Sequence, residues 1–249
     1  EIVVMKDIKT NCKIALVQAE PVMFNKSASL KKALQYICEA ASQKPDLIVF
    51  PELFIPGYPV GMNFGFSMGK RSEEGRKDWK RYYDAAVVAG ETEFQQLAEA
   101  ARKAEAYISL GFSDYISPNT NDNPEWQATI QHIAIEGKCF FVNADMIIRR
   151  SSYPSDLCEK NIVSDLREFV CRGGSCIIDP YGHYLTKPVW DEETIIYAEL
   201  DMSLPAACKM EHDAIGHYAR PDILELKVKS YYVEGGFSHL IHMTATHLW

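Results

Sequence analysis

The sequence predicts an α/β protein with a mixed sheet, and three observations carry that expectation. Short apolar runs alternate with segments whose apolar residues recur at helical spacing. One of those runs, DLIVF (Asp46–Phe50), is apolar on both faces, as strands of covered parallel sheets are. The last third reads instead as strands joined by tight turns. With 249 residues, 47% of them hydrophobic, the chain is long enough for one sizeable domain and too short to require two.

The elements follow in order. KIALVQAEPV, from Lys13, is a short apolar run ending at Pro21 and reads as a buried strand. In NKSASLKKALQYICEAAS, Asn25 caps a helix whose Leu30, Leu34, Ile37, Cys38 and Ala41 share one face. DLIVF is the second strand, covered by helices. ETEFQQLAEAARKAEAY opens with Thr92 and Gln95 at capping-box spacing and turns Phe94, Leu97, Ala98 and Ala101 inward. YISLGF is a third strand. In NDNPEWQATIQHIAIEGKCFFVNA, Asn123 caps a helix, Pro124 takes its first position, Gly137 stops it and a strand follows. GGSCIIDPYGHYLTKPV and TIIYAELDMS then read as antiparallel strands around a Pro-Tyr-Gly turn, so the sheet is mixed. RSEEGRKDWKRYY reads as a solvated charged face, and the tail YYVEGGFSHLIHMTATHLW has no clear period.

Composition narrows the function. The net charge of -8 is spread along the chain without a Lys/Arg cluster, so nucleic acid is not an expected partner. No apolar run reaches membrane-spanning length, and EIVVMKDIKTN lacks the order of a secretory leader; no membrane is expected, and the location expected is cytoplasmic. The seven cysteines are odd in number and most sit in apolar segments, which suits buried reduced thiols better than a disulfide framework. Without a CxxC pair or an HxxxH helix, neither a metal site nor a cofactor is expected.

The informative stretch is DLIVFPELFIPGYPVG. Ligands of open α/β sheets collect at the carboxyl ends of strands, and Glu52 lies two residues past Phe50, at such an end. Pro51 removes a backbone donor and ends the ladder, so the next side chain can turn toward the crevice as a general base. The competing reading is a surface glutamate in a turn.

VFPELFIPGYPVG, with NFGFSMGKRSEEGRKDWKRYY after it, resembles the first signature of the nitrilase branch of the carbon-nitrogen hydrolase superfamily. SPNTNDNPEWQATIQHIAIEGKCFFVNA, VCRGGSCIIDPYGHYLTKPVW and MEHDAIGHYARPDILEL agree with it, so the resemblance runs from about Lys13 to Val228. It implies a hydrolase-like domain over residues 13–228, followed by a tail over 229–249. It implies an α-β-β-α sandwich with mixed sheets, subunits that pair into a homo-oligomer, and a Glu-Lys-Cys triad that hydrolyses a small organic nitrile to carboxylic acid and ammonia. In that chemistry a thiolate attacks the nitrile carbon, a lysine stabilises the charged tetrahedral species and the glutamate moves protons. Glu52 matches the glutamate. Tyr58, in the aromatic loop, and Asn119, Thr120, Trp126 and His132, in and after SPNTNDNPEW, are candidates for lining the substrate pocket. For His132 the competing reading is a satisfied helix histidine. The resemblance also sets RSEEGRKDWKRYY near a subunit interface and makes His217 and Arg220 of GHYARPD a brace across a dimer contact.

The segments that hold the lysine and the cysteine in this branch have no match. AYISLGFSDYISPNT places two strand-like runs head to tail with only Ser113 and Asp114 between them. Parallel neighbours need a crossover of roughly a dozen residues. The alternatives are one long continuous strand or a junction where intervening sequence was lost; set against the family, the chain resembles a nitrilase truncated internally near 113–116, its central strands and helix missing, and is expected to be inactive. No retained cysteine offers an activating environment: Cys139 and Cys176 read as core packing, and Cys171, before Arg172 and a Gly-Gly turn, is the least unsuitable substitute. The alternative to an enzyme is a silent nitrilase-like subunit that acts, if at all, through assembly.

Overall fold

The structure is a computed structural model and describes residues 10–68, 70–88, 90–110, 124–213 and 222–223. It divides into two units, Glu1–His212 and Asp213–Trp249. Of the second, only Asp213, Asp222 and Ile223 are described. The junction Ser113–Ile116, the cap Asn123, and His217 and Arg220 lie outside the described residues.

The first unit runs β1 (Asn11–Gln18), α1 (Lys26–Ala41), β2 (Leu47–Phe50), a hairpin β3 (Phe66–Ser67) and β4 (Lys70–Arg71), α2 (Glu73–Asp84), α3 (Thr92–Ala104) and β5 (Tyr107–Leu110). It continues with α4 (Pro124–Gly137), β6 (Phe141–Asn143), β7 (Ile147–Arg149), α5 (Lys160–Ser164), β8 (Phe169–Ile178), β9 (Tyr184–Trp190), β10 (Thr194–Asp201) and α6 (Leu204–Cys208).

The first sheet has the order β10-β1-β2-β5 and is mixed: β1, β2 and β5 are parallel, and β10 pairs antiparallel with β1. The second sheet is antiparallel, with β6, β7 and β9 all paired to β8. Alternate side chains of β1 decide how they stack. Ala15 and Val17 face Leu30, Ala33 and Ile37 of α1, with Leu97, Ala100 and Ala104 of α3 beside them. Ile14 and Leu16 face the other way, onto Ile177 of β8, Val142 of β6 and Val189 of β9. On the far side of β8, Cys176 and Ile178 pack under Ile130 and Ala134 of α4. The layers are thus α1 and α3, first sheet, second sheet, α4: the expected α-β-β-α sandwich. In DLIVF, Ile48 and Phe50 are buried under the helices and Leu47 and Val49 are partly buried toward the second sheet, rather than helices covering both faces.

Local details depart from expectation for identifiable reasons. Asn25 does cap α1, its side chain accepting the Ala28 N–H at 3.1 Å. The buried stripe of α1 is Ser29, Leu30, Ala33, Ile37 and Ala40, while Cys38 is exposed. Small Ala33 and Ala40 let the helix approach the sheet, which turns the stripe slightly about its axis. Thr92 is the first residue of α3 and Glu91 its cap, so the Thr92/Gln95 capping box does not form; Gln95 donates instead to the Gly90 carbonyl at 3.1 Å. Phe94 and Ala98 stand exposed, and Ala100 and Ala104 take the inward positions. α4 includes Gly137, and Lys138 supplies the left-handed turn with φ of 49°. The residues of RSEEGRKDWKRYY form α2, capped by the Ser72 hydroxyl, with Gly75 and Asp78 buried. No described helix is long and apolar enough to cross a membrane.

Candidate active site

Glu52 lies directly beyond β2, where Leu53 takes φ of 52° and the Gly57 N–H closes the turn on the Leu53 carbonyl at 2.9 Å. The side chain is half-buried. It borders a recess shared with Tyr58 and Val60 of the following loop, with Asp145 between β6 and β7, and with Cys171 of β8. The recess has room for the centre of about one water molecule. Among the described residues no lysine or arginine pairs with the Glu52 carboxylate.

Two buried carboxylates and one amide hold the walls. The Glu159 carboxylate accepts the backbone N–H groups of Asn63 (3.0 Å), Phe64 (2.9 Å) and Gly65 (2.9 Å), fixing the loop that carries Tyr58 and Val60. Asp78 of α2 accepts the Cys158 N–H at 2.8 Å, and the Tyr153 hydroxyl donates to the Val60 carbonyl at 2.8 Å. On the second sheet, Asn143 donates to Asp145 at 2.6 Å and to the Gly174 carbonyl at 3.1 Å, orienting the acid.

Gln18, at the end of β1, ties the two sheets together. Its oxygen accepts the N–H groups of Gly174 (3.0 Å) and Ser175 (2.9 Å), and its nitrogen donates to the carbonyls of Val189 and Glu192 (both 3.0 Å). Fully buried, it has all four hydrogen-bonding positions filled. Gly173 (φ 83°) and Gly174 (φ 113°) make this approach possible, because a Cβ on Gly173 would lie 2.5 Å from the Gln18 amide. The Gly-Gly pair is therefore an irregularity inside β8, not the turn expected after Arg172.

The thiols of Cys171, Cys176 and Cys158 are not activated. Burial, then the Asp145 charge, pushes Cys171 up to about 12, and Arg167 offsets only part of this. Burial and Asp145 likewise push Cys176 up to about 12. Cys158, though exposed, is pushed up to about 11 by local desolvation and then by its hydrogen bond to Asp78. All seven cysteines are free, but Cys139, read as core, is exposed, as are Cys38 and Cys158.

The structure brings Glu52 and Tyr58 together. Trp126, at the start of α4, packs against the cluster of Ile130, Ala134, Cys176 and Ile178, and His132 stands 69% exposed in a pair with Glu136 at 2.8 Å; neither lines the recess. Asn119 and Thr120 lie outside the described residues. Asp145 was missed, although FFVNAD delivers it past a strand as DLIVFPE delivers Glu52. Gln18, Asp78 and Glu159 gave no signal, since their partners are backbone groups remote in sequence.

The sequence pattern of the carbon-nitrogen hydrolase family matches residues 13–124 and again 115–210, two stretches that overlap at 115–124. The chain is similar to the bifunctional nitrilase/nitrile hydratase NIT4A of Lupinus angustifolius, 30% identical over 300 positions, covering 87% of this chain and 85% of the relative. It is also similar to an aliphatic nitrilase of Sinorhizobium fredii, 28% identical over 296 positions, covering 88% and 96%. These alignments are longer than the 249-residue chain, so part of each relative has no counterpart in it. Among solved structures, the C. elegans NitFhit protein shares the fold with a TM-score of 0.59 at 13% identity, over 90% of this chain and 69% of that one.

Proposed function

We propose, because this chain belongs to the nitrilase branch of the carbon-nitrogen hydrolase family, that its site is that of an enzyme hydrolysing a small organic nitrile and that the present form is catalytically silent. One observation carries the proposal: the only thiol facing the recess with Glu52 is Cys171, pushed up to about 12. At neutral pH such a thiol is thiolate in about one molecule in 10⁵. A nitrile carbon is a weak electrophile, and a general base alone contributes about 10²–10⁴-fold. Among the described residues no lysine or arginine pairs with Glu52 to support the charge developing on the substrate, the contribution that usually dominates.

The proposal reads residues 13–228 as one hydrolase-like domain lacking a block near 113–116, with 229–249 as a tail. It keeps Tyr58, Asn119 and Thr120 as pocket lining and drops Trp126 and His132. The test is ammonia release from aliphatic and aromatic nitriles by the purified chain, with Glu52→Gln as control. Rates at background are expected; turnover abolished by Glu52→Gln would overturn the silent reading and point to a recruited cysteine.

The second reading is an active enzyme whose transcript also encodes the block absent here. The relatives carry residues that this chain lacks, as a segment left out of the sequence would leave it. Sequencing the transcript across the codons for Ser113 to Ile116 separates the two readings.

The proposal includes self-association and a cytoplasmic location. Phe66 and Met68 on the β3–β4 hairpin and Trp79 and Tyr83 on α2 are exposed large apolar side chains, a surface suited to a second copy. Seven free thiols suit a reducing compartment.

A further inference from the structure

Three hollows run end to end along α1, and none shares a residue with the recess beside Glu52. The first, of about 460 Å³, lies where the start of α1 meets α2 and is lined by Lys26, Lys77, Lys80 and Arg81 against one acid, Asp84. In a chain of net charge -8 this is a concentration of positive charge, and α1 adds to it because its first turn carries no acidic residue. Lys26, Lys80 and Arg81 hold Glu93, Asp84 and Asp156, pairs open to solvent of the kind that contribute little and give way to a phosphate.

Ser27 borders both this hollow and the second, of about 590 Å³, which lies between α1 and α3 over Leu30 and Leu34. Lys26 lines the first and Glu93 the second, and their contact at 3.5 Å spans the junction. Leu34, Cys38 and Gln96 border both the second and the third, of about 440 Å³, which is walled by Ile37 and Ala41 of α1 and by Ala100 and Ala104 of α3. Alanines on both walls leave the space between the helices unfilled. The three hollows form one groove, cationic at the start of α1 and apolar toward its end, and the 16 residues of α1 give it a length of about 24 Å.

We infer that this groove binds a single-chain amphiphile with a phosphate head, the head among Lys26, Lys77, Lys80 and Arg81 and the chain between α1 and α3. A bare anion would leave the apolar length in water, and a neutral chain would leave the cations without a counter-ion. A ligand carrying both groups matches the groove from end to end. This inference is independent of the hydrolase reading.

The test is calorimetric titration of the full chain with octyl phosphate, butyl phosphate and 1-octanol, each below the concentration at which it aggregates, together with the alkylation rate of Cys38. Octyl phosphate is expected to bind at least about tenfold more tightly than butyl phosphate, since each extra methylene, half buried in an open groove, adds about twofold. It should bind at least about tenfold more tightly than 1-octanol as well. It should slow alkylation of Cys38, which borders the groove, and leave that of Cys139, exposed beyond α4, unchanged. Lys77→Ala with Lys80→Ala should remove the advantage over 1-octanol. Cys38→Trp, which fills the groove from an exposed position, should remove the advantage over butyl phosphate. Equal affinity for octyl and butyl phosphate, or for octyl phosphate and 1-octanol, overturns the inference, as do an unprotected Cys38 and binding seen only with vesicles of anionic phospholipid.

Discussion

Glu52, just past β2 of the first sheet, and Cys171, on β8 of the second, border one recess from opposite sides of the sandwich. The acid arrives on a strand end and is half-solvated. The thiol arrives from a strand interior and stays protonated. Native-state alkylation should therefore mark Cys38 readily and leave Cys171 unmodified at neutral pH; labelling of Cys171 at a rate near that of Cys38 would contradict the proposed silence of the site.

Cys171 and Cys176 also make stability depend on alkaline pH. Both are pushed up to about 12, whereas thiols of the unfolded chain lose their protons near about 8.5. The stability tied to these protons is complete below about pH 8.5 and falls as pH rises toward about 12, by about 1.4 kcal/mol per pH unit per thiol at the steepest. The Tm should drop between about pH 9 and 11, and drop less in the double variant Cys171→Ala, Cys176→Ala. Parallel slopes in calorimetry would rule this out.

Gln18→Leu should be among the costliest single substitutions in the domain. It strands the N–H groups of Gly174 and Ser175 and the carbonyls of Val189 and Glu192 in a dry interior. At about 1–3 kcal/mol for each buried group left unpaired, a loss of at least about 3 kcal/mol is expected in urea unfolding. A loss under about 1 kcal/mol would mean that water replaces the amide.

Glu159→Gln keeps the shape of the side chain but replaces one acceptor oxygen with a donor facing the Asn63–Gly65 amides. Hydrogen exchange at these three amides should quicken by at least about tenfold, corresponding to about 1.4 kcal/mol, while exchange in β1 changes little. Equal acceleration throughout would show global destabilisation instead.

Gly75→Ala tests the same loop from α2. An added Cβ would lie 1.9 Å from the Phe64 carbonyl oxygen, too close for either backbone to stay in place. Destabilisation of about 2 kcal/mol or more is expected by thermal unfolding, with new proteolytic sites near Phe64.

Legibility in the sequence followed the range of the interactions. Asn25 and Pro124 were readable because a cap and a first-turn proline act within a few residues. Glu52 was readable because an apolar strand and a proline point to it. The Gly173–Gly174 pair was misread as a turn because its reason for being glycine is Gln18, 156 residues from Gly174. Glu159 was silent for the same cause: it serves amides 94 to 96 residues away, and no periodicity encodes such a partnership. Cys139 looked like core because CFFV is apolar, but the turn at Lys138 leaves it outside.

The pairing of β1 with β10 sets a schedule for synthesis. β1 lies inside the first sheet, flanked on one side by β2 and on the other by β10, matched from Asn11↔Asp201 to Gln18↔Thr194. As the chain leaves the ribosome, β2 is available early, but the other neighbour is among the last strands of the unit to emerge. Through nearly all of translation the nascent β1 therefore presents Ile14, Leu16 and an unsatisfied backbone edge to whatever is near, a state that favours chaperone capture over autonomous folding. A ribosome stalled before Asp201 should therefore hold a chain that is protease-sensitive along β1, and release of the remaining residues should protect it.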